Sequence, residues 1–215
     1  MLTDLRTPPC LLLESQPVYE EGGIRVGLDQ FLHHDGHLST GLWVTEPATT
    51  RVVALTSDGH LILRWRWRHQ AGPVWELPGA DLPPGTDQDQ PDRAARHGLA
   101  ETGWTATTWT RLAEVGNITA VVDRTVHLYL ATDLQPLDAR PAEDTATPNL
   151  MAWSDAVAVA RGAGLRDAPS IAAVLIAAAH PRLTHHTDPP RPGPSSNGAG
   201  GGAVIVTRPP HQPGV

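Results

Sequence analysis

The chain of 215 residues has no lysine; all 16 of its Lys+Arg positions are arginine. With abundant Ala, Gly and Pro, that usage fits the codon bias of a high-GC genome, so much of the Pro and Ala content carries no functional information. Cysteine is limited to Cys10, which excludes an internal disulfide framework and a cysteine-rich zinc site. Nothing therefore requires an oxidising compartment. Net positive charge is also lacking: the formal charge is -7, so nucleic acid held by phosphate neutralisation is not expected as a partner. Long apolar runs are missing too. Leu11-Leu12-Leu13, preceded by Pro8-Pro9, is too short for a signal-peptide core, and no stretch approaches the roughly 20 apolar residues of a membrane span. A cytoplasmic protein of one domain plus a tail is expected.

Strand-like runs fill the first third: "GIRVGLDQFLHH" (23–34), "LSTGLWVT" (38–45) and "RVVALTSDGHLILRWRWR" (51–68). The last carries Ser57-Asp58-Gly59 between two strands, a hairpin signal. In "HLILRWRWRH" alternation predicts Arg64, Arg66 and Arg68 on one face and Trp65 and Trp67 on the other, either as a packed tryptophan pair behind an exposed face or as a phosphate-facing arginine row. A helix is predicted from Gln90 to Thr102, with Pro91 early and Gly103 beyond its end. Strands follow near 108–116 and 125–134, then an acidic proline-containing loop. Two more helices are predicted, one with Ser154 as N-cap and one with Asp167 as N-cap and Pro169 in its first turn. Beyond His180 the Pro-, Gly-, Ser- and His-rich composition predicts a disordered tail; His185-His186 is too isolated to assign to metal, and "AVIVTR" (203–208) is its one apolar island. Strands followed by flanking helices indicate an α/β or α+β sandwich.

Three segments carry a family resemblance: Arg66-Trp67-Arg68, then "WELPGA" (75–80), then "AARHGLAETG" (94–103). In that order they resemble the Nudix hydrolases, in particular the branch of ADP-ribose and nucleotide-sugar pyrophosphatases, whose helix reads A-A-R-R-E-L-x-E-E-T-G. "GLRDAPSIAAVLIAA" (164–178) is similar to the family's closing helix, so the resemblance spans roughly residues 20 to 180. It implies an αβα sandwich on a mixed β-sheet with N-terminal antiparallel strands. The implied organisation is an N-terminal segment 1–17, a Nudix-like domain 18–180 whose strands 18–46 make a homodimer, and a tail 181–215.

Cutting a phosphoanhydride requires stabilising charge on phosphoryl oxygens while water attacks in line, and divalent metals do both. Mg²⁺ and Mn²⁺ want oxygen ligands, and acids at i and i+4 on a helix converge on one cluster. The resemblance makes Glu101 the principal metal ligand, Arg96 the arginine that orients it, and the Gly79 carbonyl a further metal contact. The box is degenerate. His97 and Ala100 stand where glutamates are expected, Gly98 replaces an apolar residue, Ala80 takes the place of the leading glycine, and Thr86 lies near the expected loop glutamate. His97 and Glu101 still form an i, i+4 pair able to hold a metal, with imidazole favouring Mn²⁺ or Zn²⁺ over Mg²⁺; the alternative is an ordinary surface pair. Asp123 is the preferred distal acid, with His127, Glu143 and Asp144 as other candidates. Glu76, Arg66, Arg68 and Trp67 are candidate substrate contacts, the arginines for a diphosphate and the tryptophan for a base. Gly98 is expected to cost its helix about 1 kcal/mol and to loosen it against the sheet.

The expected function is hydrolysis of the pyrophosphate in a nucleoside diphosphate linked to another group, ADP-ribose or a nucleotide sugar, with Mg²⁺ or Mn²⁺ and with activity impaired by the lost acids. Two alternatives stay open: an inactive nucleotide-binding module, and an enzyme of secondary metabolism on the same fold.

Overall fold

The computed structural model describes residues 10–82, 90–116, 119, 121–137, 148–162 and 164–183. In chain order the elements are β1 (Cys10–Glu21), β2 (Ile24–His33), β3 (Leu38–Thr45), β4 (Thr49–Ala54), β5 (His60–Arg68), β6 (Gly72–Glu76), α1 (Gln90–Ala100), β7 (Trp104–Gly116), β8 (Val122–Asp123), β9 (Thr125–Pro136), β10 (Asn149–Ala152), α2 (Trp153–Arg161) and α3 (Ala168–Ala178). All lie in the unit Met1–His185; the unit His186–Val215, which includes His186 and "AVIVTR", lies outside the described residues. His185, Thr86, Glu143 and Asp144 also lie outside them.

β4 explains the layering. Each of its residues is buried, because its two faces serve two cores. Val52 and Ala54 join Ile62, Ala95, Leu99, Tyr129 and Ala131 on the α1 side. Val53 and the following Leu55 join Leu61, Leu63, Val126, Leu128 and Leu130 on the side of α2 and α3. The result is the αβα sandwich that the resemblance implied. β4 pairs parallel with β9, and β9 antiparallel with β7, so this sheet is mixed. A second sheet has the order β10-β5-β6, and an N-terminal sheet the order β1-β2-β3-β8. Among the described residues no helix is long and apolar enough to cross a membrane.

Four sequence expectations are amended. The turn at Ser57-Asp58-Gly59 forms, with Gly59 at φ 79°, but β4 and β5 meet only at the Leu55–Leu61 bridge and then enter different sheets. A hairpin signal reports the turn; the two-sided burial of β4 decides its partner. N-terminal pairing reaches back to Cys10, through a β1–β2 register that ends at His33. α2 begins at Trp153 with Ala152 as N-cap, so Ser154 lies inside the helix, and no side chain caps it; the Trp153 N–H instead donates to the Gly59 carbonyl at 2.9 Å. α3 is capped as expected: Asp167 accepts from the Ser170 N–H, and Pro169 follows the cap.

The fourth amendment concerns Gly98. A Cβ there would lie 2.4 Å from the Gly79 carbonyl carbon and 2.5 Å from its Cα. A Cβ on Gly79 would in turn lie 2.0 Å from the Thr50 carbonyl oxygen. Helix α1, the Pro78-Gly79-Ala80 segment and β4 are thus stacked backbone against backbone. Gly98 does not loosen the helix; its missing side chain lets α1 approach the segment closely.

Candidate active site

The register of β5 against β6 places Arg64 opposite Glu76 and Arg66 opposite Val74. Alternation then brings Arg64, Arg66 and Arg68 to one face, as expected, and all three converge on Glu76. Arg64 Nε donates to Glu76 Oε1 at 3.1 Å, Arg66 Nη1 lies 3.7 Å from the same oxygen, and Arg68 Nη2 lies 2.5 Å from Oε2. Glu76 is 0% exposed, and these guanidinium groups are its ion-pair partners in the interior. Trp65 and Trp67 fall on the opposite face of β5; at 36% and 63% exposure they are not a buried core pair. Trp67 is therefore not directed to the arginine face.

Arg64 reaches further. Its Nη1 donates to Glu101 Oε2 at 2.7 Å and its Nη2 to the Gly79 carbonyl at 2.7 Å. Arg64, a residue 7% exposed, thus joins through one guanidinium three of the residues that the sequence singled out: Glu76, Gly79 and Glu101. Burial is the strongest influence on Arg64 and lowers its pKa; Glu76 and Glu101 oppose this, while Arg66 and Arg51 add to it. An arginine nonetheless keeps its proton in a protein.

Glu101 follows the last residue of α1 and is held by its N–H to the His97 carbonyl at 3.0 Å. The chain then turns at Gly103, whose φ of 80° suits glycine beyond a helix end. His97 Nε2 lies 3.3 Å from Glu101 Oε1, so the expected i, i+4 pair forms, with the His97 side chain 71% and the Glu101 side chain 30% exposed. Arg96 stands elsewhere: its guanidinium carbon is 4.7 Å from the Trp109 ring centroid, in a cation–π contact. The arginine bonded to Glu101 is Arg64.

Asp123 lies on β8 beside Thr45 of β3, exposed, with its carbonyl accepting from the Glu46 N–H at 3.3 Å. His127, on β9, accepts from Arg111 Nη2 at Nδ1 (3.1 Å) with Glu114 3.3 Å away; burial foremost, and Arg111 with it, lower its pKa. Among the described contacts neither residue joins the Arg64 cluster.

A second arginine, missed in the sequence, backs the first. Arg51 is buried on β4 and bonds Asp167 at 2.9 Å, with Glu76 Oε2 3.9 Å away. Burial would lower the Arg51 pKa, but Asp167, Glu76 and Asp81 outweigh it and raise it. Asp167 also accepts from Ser170, whose hydroxyl oxygen accepts from the Leu77 N–H at 2.9 Å. The α3 cap therefore fixes the segment that runs from Glu76 to Gly79. The only sequence signal for Arg51 was a charged residue opening an otherwise apolar run.

In direct ion pairs, four guanidinium groups (Arg51, Arg64, Arg66 and Arg68) face three carboxylates (Glu76, Glu101 and Asp167); Asp81, which also acts on Arg51, is paired with Arg124. The balance is cationic and suits an anion. Two oxygens that a divalent metal could use are already taken: Gly79 O and one oxygen of Glu101 accept from Arg64.

No family model matches the chain. Over 134 residues it is 29% identical to an ADP-ribose pyrophosphatase of Mycobacterium tuberculosis (strain ATCC 25618 / H37Rv), covering 62% of this chain and 64% of that protein. The chain thus spans less than two thirds of this curated relative's length. The solved structure of an ADP compounds hydrolase superposes with a TM-score of 0.67 at 14% identity, covering 84% of this chain and 97% of the other. The chain has the fold of an ADP compounds hydrolase. That fold is what places the end of α1 against Gly79 and the arginine face of β5.

Proposed function

We propose that the chain is a Nudix-type hydrolase that recognises the diphosphate of a nucleoside diphosphate linked to a second group, with ADP-ribose as the model substrate, and cleaves it to AMP and a sugar phosphate. The observation that carries this reading is the arginine row of β5, with Arg66 and Arg68 partly exposed beside a buried Glu76 that aligns them. The name of the relative, an ADP-ribose pyrophosphatase, supports the substrate class. Arg66 and Arg68 would pair with phosphoryl oxygens. Glu101, which has His97 beside it, would take the proton of an attacking water. Water oxygen would bond to phosphorus as the bridging P–O bond breaks, and the leaving phosphate would carry the electron pair away.

A binding module without turnover is the second reading, favoured by the capture of Glu101 by Arg64. The two separate in one assay. Hydrolysis should release AMP from ADP-ribose, and Glu101→Gln should abolish that release. If wild-type protein releases no AMP from a panel of dinucleotides and nucleotide sugars yet gains thermal stability from them, the binding reading replaces the first. We also propose that β1 to β3 carry a homodimer contact. Leu11, Leu12, Leu13, Val18 and Tyr19 of the edge strand, with Leu38 and Leu42 of β3, are exposed apolar side chains on a long open sheet.

A further inference from the structure

We propose that Arg64 is the resident cation of this site: its guanidinium takes the place between Glu101, Glu76 and the Gly79 carbonyl that a divalent ion would need, so the site excludes the metal and holds its anion with arginine alone. The inference deepens the functional reading above and rests on it for the class of anion. The acceptors around Arg64 are two carboxylates and a backbone carbonyl, an oxygen set of the kind Mg²⁺ or Mn²⁺ takes. All three bonds are made at once by a planar fork, with Nε, Nη1 and Nη2 each serving a different residue.

Entry of a metal would require more than a turn of the Glu101 side chain. The Gly79 carbonyl would have to be released as well, and Arg64, which is buried and hydrogen-bonded to Glu76, would have to be displaced. An incoming ion would also meet a cluster in which guanidinium groups already outnumber carboxylates. The helix supplies no compensation, because Ala100 brings no carboxylate and His97 brings only an exposed imidazole. A diphosphate meets the opposite situation. Arg66 and Arg68 share their charge with a single Glu76 and present it at the partly exposed end of the row.

The experiment titrates Mn²⁺ into the full chain and follows the paramagnetic resonance of the free ion. At equimolar protein the wild-type solution should keep an undiminished free-ion signal, whereas Arg64→Met should lose about half of it or more as the freed oxygens take up the ion. Stoichiometric uptake by the wild type would overturn the proposal, and so would a folded Arg64→Met protein that takes up none. Should that variant fail to fold, a wild-type measurement decides: thermal unfolding with inorganic pyrophosphate and with ADP-ribose, in EDTA and in Mn²⁺. Stabilisation of the same size in both media supports the arginine-held anion; stabilisation seen only with Mn²⁺ overturns it. If neither anion stabilises the protein in either medium, the ligand class proposed above fails, while the Mn²⁺ titration of the wild type still decides the question of the cation.

Discussion

In the sandwich, Arg51, Arg64 and Glu76 are buried, Arg64 bonded to Glu76 and Arg51 to Asp167, whereas in the N-terminal sheet Leu11, Leu12, Leu13, Val18 and Tyr19 are exposed. The two regions depart in opposite directions from the usual placement of charge outside and hydrocarbon inside. Buried charge is tolerated only where every group is matched, and here each matching bond also fixes a piece of the site. Asp167 ties the α3 cap to Arg51, and Arg64 ties the end of α1 to β5. Exposed hydrocarbon needs no internal match, so it leaves the sandwich undisturbed while offering a surface to a partner. Substitutions in the first region should therefore unfold or deform the protein, and substitutions in the second should change only its assembly.

The largest effect is expected at Asp167. Asp167→Ala leaves the buried Arg51 guanidinium without its closest carboxylate and removes the α3 cap, a combined loss of about 4 kcal/mol read from the urea midpoint. The pH dependence should show the same pair. Burial acts to raise the Asp167 pKa, but Arg51 and Ser170 outweigh it and hold the carboxyl below its ordinary value. A depressed carboxyl contributes stability that is complete above its unfolded value, about 3.9, and disappears as pH falls through the folded value. Wild-type stability should thus fall more steeply below about pH 4 than that of Asp167→Asn. Equal acid limbs would mean that the pair does not stabilise the fold.

Gly98→Ala should follow in size. Alanine is the better helix former by about 1 kcal/mol, yet its Cβ would meet the Gly79 backbone at 2.4 Å, and that backbone is itself pressed against Thr50. A net loss of about 2 kcal/mol is expected, with a weaker grip of Arg64 on Glu101. A stabilised variant would show that α1 has room to move and that the close stacking does not set the site.

The sandwich was legible because its signals are local and repeated: two-sided apolar runs, the Asp167-Ala168-Pro169 cap, and Gly103 beyond α1. Alternation alone brought Arg64, Arg66 and Arg68 to one face. What could not be read was where those charges go. That Arg64, not Arg96, meets Glu101 depends on the approach of α1 to Gly79, a contact between residues far apart in sequence. Gly98 misled for the same reason: propensity treats a helical glycine as a local cost and says nothing of the backbone it lets in. Splitting β4 and β5 between sheets was likewise a tertiary decision, made by β9 pairing in parallel with β4.

The smallest change in stability, and the clearest change in assembly, is expected in the N-terminal sheet. Leu11 and Leu13 stand at alternate positions of the edge strand β1 and are exposed there, so replacing both with serine removes apolar surface without opening a cavity. Unfolding should shift by no more than about 0.5 kcal/mol per site. The mass in solution, measured by light scattering on a sizing column, should fall from that of a dimer to that of a monomer. A monomeric wild type would refute the contact. Loss of stability comparable to that of Gly98→Ala would refute the contrast itself, since it would place this sheet among the structures that hold the sandwich together instead of those that join one chain to another.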